Sequence, residues 1–140
     1  MDVRPYLPTD RQACLNIFDS NSFSPGARLQ FAQFLDQAPT TYFVLEYQGE
    51  LLGCGGYQVD PEPGLATLLW GVVRRESEKL GLDRFLLMYR LREIGKCAGI
   101  ERVRVETPQE SVAFFEHQGF KVTGVTGNQV EMVKRLIVCA

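Results

Sequence analysis

The strongest chemical signal in the sequence is a cationic segment around Gly81. It follows an apolar run that ends at Val73 and precedes a long stretch with helical apolar spacing. Four positive charges fall within eleven residues, at Arg74, Arg75, Lys79 and Arg84. The first N–H groups of a helix have no partner within it and carry partial positive charge, so a loop leading into a helix can bind a pyrophosphate. The segment therefore predicts either a phosphate-binding loop or a charged surface loop that caps an amphipathic helix.

A second candidate segment covers residues 106–120. It contains two adjacent aromatic residues, Phe114 and Phe115, and closes with a Gly119-Phe120 step. This pattern is typical of a short helix with glycine at its C-terminal end, followed by a strand. By itself the pattern also fits a structural helix whose aromatic side chains lie in the core.

Glu106 is the leading candidate for a general base. It closes a predicted strand, at the end where clefts open in sheets with parallel strands. The alternative is an ordinary carboxylate that caps the next helix or pairs with Arg104. Glu46 and Tyr57 are further candidates for a base that acts directly or through water.

The thiols and the imidazole offer little chemistry. Cys54 lies in a predicted glycine-rich strand without a histidine near it in sequence, so a nucleophilic role is disfavoured. The single histidine, His117, is expected to face solvent. The sequence has no CxxC pair, so neither a zinc site nor any other metal site is predicted, and a disulfide framework is not expected. The four cysteines are Cys14, Cys54, Cys97 and Cys139.

Capping residues and apolar spacing predict four helices. The first helix is expected to have Thr9 or Asp10 as its N-cap, and the second is expected to start at Ser24-Pro25. A long third helix is expected over 82–98, with Gly99 as its stop, and a last one over 109–118. The predicted buried stripe of the third helix consists of Leu82, Phe85, Leu86 and Tyr89, widened by Leu87, Leu91 and Ile94.

Runs of β-branched and aromatic residues predict seven strands. They cover residues 3–6, 40–47, 51–59, 65–74, 101–106, 120–125 and 129–136. The fourth is apolar throughout, which suggests burial on both faces, and the helix after it predicts a parallel pairing with the fifth. The predicted fold class is a mixed α/β (α+β) layer with a mainly antiparallel sheet, a central parallel pair and about four flanking helices.

The composition limits the class of protein. The 140 residues are 45% hydrophobic and 23% charged, which is typical of one soluble domain, expected to span residues 1–140. A net charge of -2 offers no basic surface for nucleic acid. No run approaches the ~18 apolar residues of a membrane span, and the first ten residues do not read as a signal peptide. We therefore expect a cytoplasmic protein without nucleic-acid or membrane partners.

Together the two segments resemble the GNAT superfamily of N-acetyltransferases. The first corresponds to the family pattern Gln/Arg-x-x-Gly-x-Gly/Ala, with residues 78–83 reading Glu-Lys-Leu-Gly-Leu-Asp. The second corresponds to Phe-Tyr-Glu-x-x-Gly-Phe, with residues 114–120 reading Phe-Phe-Glu-His-Gln-Gly-Phe. The spacing between the motifs and the order of the elements also match. The resemblance thus extends over nearly the whole chain.

The resemblance implies an enzyme that transfers an acetyl group from acetyl-CoA to a primary amine by direct attack in a ternary complex. The strands ending near Val73 and at Glu106 would splay apart, and pantetheine would pair with the backbone of Val72, Val73 and Arg74. The Val73 N–H would stabilise the oxyanion, and Glu106 would be the base. The pyrophosphate would lie on the amides of Lys79, Leu80, Gly81, Leu82, Asp83 and Arg84. Ser111, Phe114 and Phe115 would contact the pantetheine arm.

Three positions depart from the family pattern. Glu78 and Asp83 place negative charge where phosphates are expected to bind. Phe115 stands where the family often has a tyrosine that protonates the leaving thiolate. The alternative function is therefore a degenerate GNAT domain that binds a ligand or partner without catalysis, and a further one is an unrelated α+β binding domain.

The acceptor amine is left open between a small molecule, a peptide and a protein. Its pocket is expected between the first two helices and the loop over 60–64. The aromatic residues that could form its walls, or simply belong to the core, are Phe23, Phe31, Phe34, Tyr42, Tyr57 and Trp70. By analogy with the family, the protein is a monomer or a homodimer paired through its C-terminal hairpin.

Overall fold

The computed structural model describes residues 1–21 and 23–136, without the side chains of Glu78 and Lys79. The Lys79 side chain and Cys139, both considered above, lie outside the described residues. The α-helices are α1 Arg11–Asp19, α2 Pro25–Leu35, α3 Leu82–Gly95 and α4 Val112–His117. Three 3₁₀ helices, Pro8–Asp10, Arg75–Leu80 and Gln109–Ser111, precede α1, α3 and α4.

The strands form one seven-stranded sheet in the order β1-β2-β3-β4-β5-β7-β6. They are β1 Asp2–Pro5, β2 Tyr42–Tyr47, β3 Glu50–Val59, β4 Leu65–Val73, β5 Arg102–Pro108, β6 Lys121–Thr126 and β7 Gln129–Arg135. The β4–β5 pair is parallel, from Leu65↔Arg102 to Thr67↔Arg104, and the β1–β2, β2–β3, β5–β7 and β6–β7 pairs are antiparallel. The predicted fold class and the predicted parallel pair are confirmed.

The chain divides into two compact units. The first contains residues 1–57 and 69–92, and the second contains residues 58–68 and the described chain from residue 93 onward. The expectation of a single domain over 1–140 stays a prediction.

The first unit has helices on both faces of its strands. One core cluster joins α1 and α2 to Val72 of β4, and another joins Leu82 and Leu86 of α3 to Val73. Consecutive residues of a strand point to opposite faces, so Val72 and Val73 serve different clusters. This arrangement fixes the end of β4 from both sides.

In the second unit the buried side chains alternate along paired strands. Val103 and Val105 of β5, and Val130 and Met132 of β7, are buried at every second position. This is the period expected of strands that each bury one face. Val112 of α4 and Phe120 after it are buried as well.

The starts of α1 and α2 are capped differently. Ser24 accepts a hydrogen bond from the Ala27 N–H at 3.1 Å, which confirms the predicted start at Ser24-Pro25. Asp10 precedes α1 but makes no capping bond to it. Its carboxylate accepts the Arg4 guanidinium at 2.8 and 3.0 Å and the Leu7 N–H at 2.8 Å. The hydrogen bond from Arg4 holds the pKa of the Asp10 carboxyl below its usual range.

The third helix is shorter than predicted. It ends at Gly95, and the next N–H groups, those of Lys96 and Cys97, donate to carbonyls three residues back in a turn. Gly99, which was predicted as the helix stop, has φ +83° and follows that turn. Ala98 therefore lies outside the helix. The prediction failed because it rested on apolar spacing, which continues into the turn. The spacing does not show where the helical hydrogen bonds end.

Two burial predictions are also wrong. Phe85 was placed in the buried stripe of α3, but its side chain is 41% exposed, whereas Leu82, Leu86, Leu87 and Ile94 are buried. The middle of β4 is not buried throughout, because Leu69 and Trp70 are half-buried and Gly71 is exposed. An apolar run in a sequence therefore did not guarantee burial here.

Across the part of the chain that the structure describes, no helix combines the length and apolarity that a bilayer crossing requires.

Candidate functional site

The end of β4 presents backbone groups at the strand edge that faces away from β3. The Arg74 N–H donates to the Leu52 carbonyl of β3 at 2.8 Å. Backbone groups of successive strand residues point to opposite edges, so the N–H and C=O of Val73 are directed away from β3. The Val73 side chain is buried. What this residue offers to a ligand is therefore its backbone.

Two polar side chains at the end of α1 fix the backbone of this region. The Asn21 amide nitrogen donates to the Val73 carbonyl at 3.1 Å and to the Ile17 carbonyl at 3.2 Å. The Ser20 hydroxyl accepts the Arg75 N–H at 3.1 Å. Neither residue is among the site residues predicted from the sequence. Their only signal was their polar character after a predicted amphipathic helix, which is common at helix ends.

The Arg74 side chain turns back toward β3. Its guanidinium lies 3.4 Å from the Glu50 carboxylate and 3.5 Å from the Leu51 carbonyl. Part of its charge is thereby neutralised. Arg74 contributes to a phosphate site less than its position in the sequence suggested.

The predicted phosphate loop is a 3₁₀ helix rather than an irregular loop. The Ser77 N–H donates to the Arg74 carbonyl at 2.9 Å, and Ser77 is buried. The 3₁₀ helix ends at Leu80, whose side chain is 71% exposed. Such turns are frequent at the N-termini of α-helices.

Gly81 forms the junction between the 3₁₀ helix and α3. Its φ is +73°, a conformation that favours glycine, and apart from its chain neighbours no described atom lies within 4 Å of the place where a Cβ would stand. Its carbonyl accepts the Phe85 N–H at 3.1 Å, the first hydrogen bond of α3. The N–H groups of the first turn have no acceptor inside the helix. An anion therefore has open space before this helix end.

The first turn of α3 carries both signs of charge. Leu82 is buried, whereas Asp83 and Arg84 are exposed. An exposed carboxylate in the first turn stabilises the helix and opposes a nearby phosphate, each by about 1 kcal/mol or less. Arg84 adds the opposite charge at the next position.

Trp70 holds an unusual backbone conformation three residues before Val73. Its φ is +34°, a region that residues other than glycine seldom adopt. The Tyr42 hydroxyl donates to the Trp70 carbonyl at 2.8 Å, and Tyr42 is fully buried. The Trp70 ring packs at 5.2 Å from the ring of Phe31. β4 is therefore distorted just before its end, and buried partners hold the distortion.

In the second unit, Glu106 lies exposed on β5, directly opposite Glu131 of β7. Among the residues that the structure describes, no hydrogen bond or ion pair of the Glu106 side chain is found. The alternative pairing with Arg104 is wrong, because the Arg104 guanidinium contacts Asp60 at 2.8 Å and Thr67 at 3.1 Å. The Glu106 carboxylate is accordingly open to solvent.

The aromatic pair of the second motif lies on α4. The rings of Phe114 and Phe115 meet edge to face at 5.1 Å, and Phe115 meets Phe120 in the same way at 5.3 Å. Phe114, Phe115 and Ser111 are half-buried. Each keeps part of its surface available for contact with a ligand.

The other candidates are either engaged or inaccessible. Glu46 is bound to Arg4 at 3.1 Å, and Tyr57 is buried beside Phe43. Cys54 is fully buried, which excludes substrate from its thiol. The pKa of the neighbouring Cys14 thiol is raised by its hydrogen bond to Cys54 and by burial.

His117 is exposed, as predicted. No group of three possible metal ligands occurs within residues 1–21 and 23–136.

The aromatic residues expected around an acceptor pocket separate into two groups. Phe31 and Tyr42 are fully buried, so of the two alternatives the structure favours the core for both. Phe23 is exposed, and Phe34 is half-buried. The sequence could not separate these cases, because core and pocket residues share the same apolar character.

Replacing Asn21 with alanine is expected to loosen the end of β4. The change removes the donors to Val73 and Ile17, and a lost hydrogen bond of this kind costs about 1–2 kcal/mol. Hydrogen exchange followed by mass spectrometry should show faster exchange in peptides that cover residues 73–81. Asn16→Ala is the control, since that exposed side chain bonds only Gln12 of its own helix, at 3.0 Å. Equal exchange in both variants would contradict the assigned role.

The comparisons with known proteins agree with this arrangement. The sequence model of the Acetyltransferase (GNAT) family matches residues 11–120. No curated protein matches the chain by sequence. Among solved structures, the ribosomal-protein-S18-alanine N-acetyltransferase of Escherichia coli is 21% identical, with a TM-score of 0.79 over 99% of this chain and 96% of that one.

Two other similar structures contain a coenzyme A species. The PaiA N-acetyltransferase of Thermoplasma acidophilum, in complex with coenzyme A, is 16% identical with a TM-score of 0.77 over 96% of this chain and 98% of that one. The GphF GNAT-like decarboxylase, in complex with isobutyryl-CoA, is 15% identical with a TM-score of 0.79 over 96% and 99%. These likenesses establish the fold. The match of the family model over most of the sequence establishes that the chain belongs to the GNAT family of acetyltransferases, enzymes that use acetyl-CoA as acetyl donor.

Proposed function

We propose that this protein transfers an acetyl group from acetyl-CoA to a primary amine by direct attack in a ternary complex. The observation that carries the proposal is the continuous run from Val73 to α3. A strand end with outward-directed backbone groups leads, through a 3₁₀ helix and a positive-φ glycine, into an open helix N-terminus. The amides after Leu80 suit the pyrophosphate, and the backbone of Val72, Val73 and Arg74 suits pantetheine.

The acidic departures from the family pattern do not rule out acyl-CoA binding. The repulsion from an exposed carboxylate such as Asp83 amounts to about 1 kcal/mol or less. Micromolar binding corresponds to about 8 kcal/mol. A repulsion of this size would weaken micromolar binding without abolishing it.

The proposed oxyanion donor is the N–H of Val73. During attack on the thioester, negative charge collects on the carbonyl oxygen, and a fixed N–H stabilises that charge without reorganisation. The Asn21 amide supports this role, since its bond to the Val73 carbonyl at 3.1 Å restrains the residue that donates.

Glu106 stays the proposed base, and Ser111, Phe114 and Phe115 stay the proposed contacts of the pantetheine arm. An alkylammonium with a pKa near 10.4 must lose a proton before it attacks, which costs about 4–5 kcal/mol at pH 7. An exposed carboxylate can accept that proton directly or through water. Phe115 cannot protonate the leaving thiolate. Because a thiol has a pKa near 8.5, release as thiolate at pH 7 costs only about 2 kcal/mol.

The acceptor is proposed to be the amine of a small molecule, a peptide or a protein. The Escherichia coli relative acts on an alanine of a ribosomal protein, which supports the peptide class. A cytoplasmic location, the absence of nucleic-acid and membrane partners, and a monomeric or homodimeric state stay predictions.

Calorimetric titration with acetyl-CoA tests the proposal, with desulfo-CoA as a non-reactive analogue. We expect binding in the micromolar range, and a loss of at least tenfold in the Gly81→Trp variant, which corresponds to about 1.4 kcal/mol. The indole would occupy the space in front of α3 that the pyrophosphate needs.

Gly127→Trp is the matched control, because it also places a tryptophan at a backbone position with positive φ. Gly127 also has a positive φ, +60°, with no atom within 4 Å of its Cβ position, but it lies in the β6–β7 turn. Its substitution should leave the affinity for acetyl-CoA within about twofold. Absence of binding to the unchanged protein would favour the non-catalytic alternative. Binding without acetyl transfer in an amine screen would favour it as well.

A further inference from the structure

Arg90 of α3 is a buried cation that forms no salt bridge with a carboxylate among the described side chains. Its relative exposure is 5%. No carboxylate of the described side chains forms a salt bridge with it, and its Nε has no hydrogen-bond partner in that part of the chain. The guanidinium donates only one long bond, from Nη1 to the Gly56 carbonyl at 3.4 Å. Burying an uncompensated charge is costly, so its presence requires a physical reason.

Two glycines create the space for this guanidinium. A Cβ at Gly71 of β4 would lie 2.8 Å from Nη2 and 3.3 Å from Nη1 of Arg90. A Cβ at Gly55 of β3 would lie 3.3 Å from Cζ. The cation therefore lies directly against the backbone of β4 at Gly71, where any side chain would displace it.

The backbone of β4 is exposed at this place. Gly71 is exposed although Arg90 beneath it is buried. Strand alternation directs the backbone groups of Gly71 to the same edge as those of Val73, two residues later. The buried guanidinium of Arg90 thus lies against a strand residue whose backbone is exposed.

We propose that Arg90 supplies a fixed positive field at the exposed edge of β4, where it stabilises the negative charge that develops on the thioester carbonyl oxygen. This inference rests on the proposed function, because it takes the edge at Gly71 and Val73 as the place of the acyl group. It adds a long-range electrostatic contribution to the hydrogen bond from Val73. Fixed charges in a site with little water are effective because they require no reorganisation during the reaction.

The charge persists under physiological conditions. Burial lowers the pKa of the Arg90 guanidinium to about 10, which leaves it cationic at pH 7. The effect of burial on the pKa of Arg90 is partly offset by three groups that raise it, those of Tyr42, Cys54 and Asp83.

Isotope-edited infrared spectroscopy of bound acetyl-CoA, labelled with ¹³C at the acetyl carbonyl, tests the proposal. A positive field at the oxygen lowers the carbonyl stretching frequency. The band should therefore move to higher frequency in Arg90→Met than in the unchanged protein, while the affinity for acetyl-CoA changes by less than about twofold. Arg90→Lys should retain most of the shift. Cleavage of the thioester by hydroxylamine, a small surrogate nucleophile, should fall about tenfold in Arg90→Met.

Arg92→Met is the matched control, because Arg92 is an exposed arginine of the same helix that lies over the Tyr89 ring at 5.5 Å. It should change neither the band nor the cleavage rate. If Arg90→Met does not fold, Gly71→Ala serves in its place, since the new methyl group displaces the guanidinium and should move the band in the same direction.

The outcomes distinguish this inference from the proposed function. An unshifted band in variants that bind acetyl-CoA normally would overturn the role of Arg90 alone. A loss of affinity of tenfold or more in Arg90→Met would also overturn it, in favour of a structural role. Failure of acetyl-CoA to bind the unchanged protein would overturn both.

Discussion

Replacing Gly56 with alanine is expected to destabilise the protein by about 3 kcal/mol. Gly56 of β3 pairs with Tyr42 of β2, and a Cβ there would collide with the Thr41 carbonyl and would lie 2.8 Å from the Tyr42 Cα. Both are backbone atoms, one in β2 and one in the residue before it, and they cannot move aside as the end of a flexible side chain can. The midpoint of urea-induced unfolding, followed by circular dichroism, measures the loss.

Gly95→Ala is the control for this substitution. Gly95 is the last residue of α3, and no atom lies within 4 Å of its Cβ position. Alanine in an open helical position should raise the stability by about 0.5–1 kcal/mol, because it restricts the unfolded chain and has a better helix propensity. A drop in stability of similar size in both variants would show that the loss at Gly56 does not come from the collision with β2.

The sequence predicted the order of the elements because their signals are local. Apolar runs with turn residues located the seven strands, and Ser24-Pro25 located the start of α2. The parallel pair followed from the helix between two strands, since a parallel connection needs a crossover. Gln48 and Gly49, which both adopt positive φ, form the turn between β2 and β3.

Much of the candidate site could not be predicted, because its decisive contacts join residues far apart in the sequence. Asn21 and Val73 are separated by 52 positions, and Tyr42 and Trp70 by 28. Nothing in the sequence near Asn21 or Tyr42 distinguishes it from an ordinary helix-end or core residue. The same limit applies to Arg90, because two glycines on two different strands, Gly55 and Gly71, make room for it.

The orientations of the charged side chains near Gly81 could not be predicted from the sequence either. The sequence gives the number of positive side chains near Gly81 but not their orientation. Arg74 turns back to Glu50, whereas Arg84 is exposed. The electrostatic character of the site therefore depends on rotamers that only the folded structure determines.

Replacing Phe31 with alanine is expected to destabilise the protein by about 3–5 kcal/mol. The side chain is 0% exposed, and its ring packs at 4.9 Å from Phe18 and 5.2 Å from Trp70. The cavity would lie against Trp70, the residue with φ +34° just before the end of β4. We therefore expect a weaker affinity for acetyl-CoA as well as a lower midpoint of urea-induced unfolding. Calorimetry at a temperature where the variant is folded measures the affinity.

Phe23→Ala is the control for Phe31→Ala. It shows whether the effects come from loss of a core side chain or from loss of any aromatic ring beside Phe18. Phe23 contacts the same Phe18 ring, at 4.5 Å, but its side chain is 46% exposed. Its removal should change the stability by less than about 1 kcal/mol. The affinity for acetyl-CoA should be unchanged, because Phe23 does not contact the Trp70 ring that supports the end of β4. If Phe31→Ala were as mild as Phe23→Ala, the aromatic cluster would be a deformable pocket lining, and the distortion at Trp70 would not depend on it.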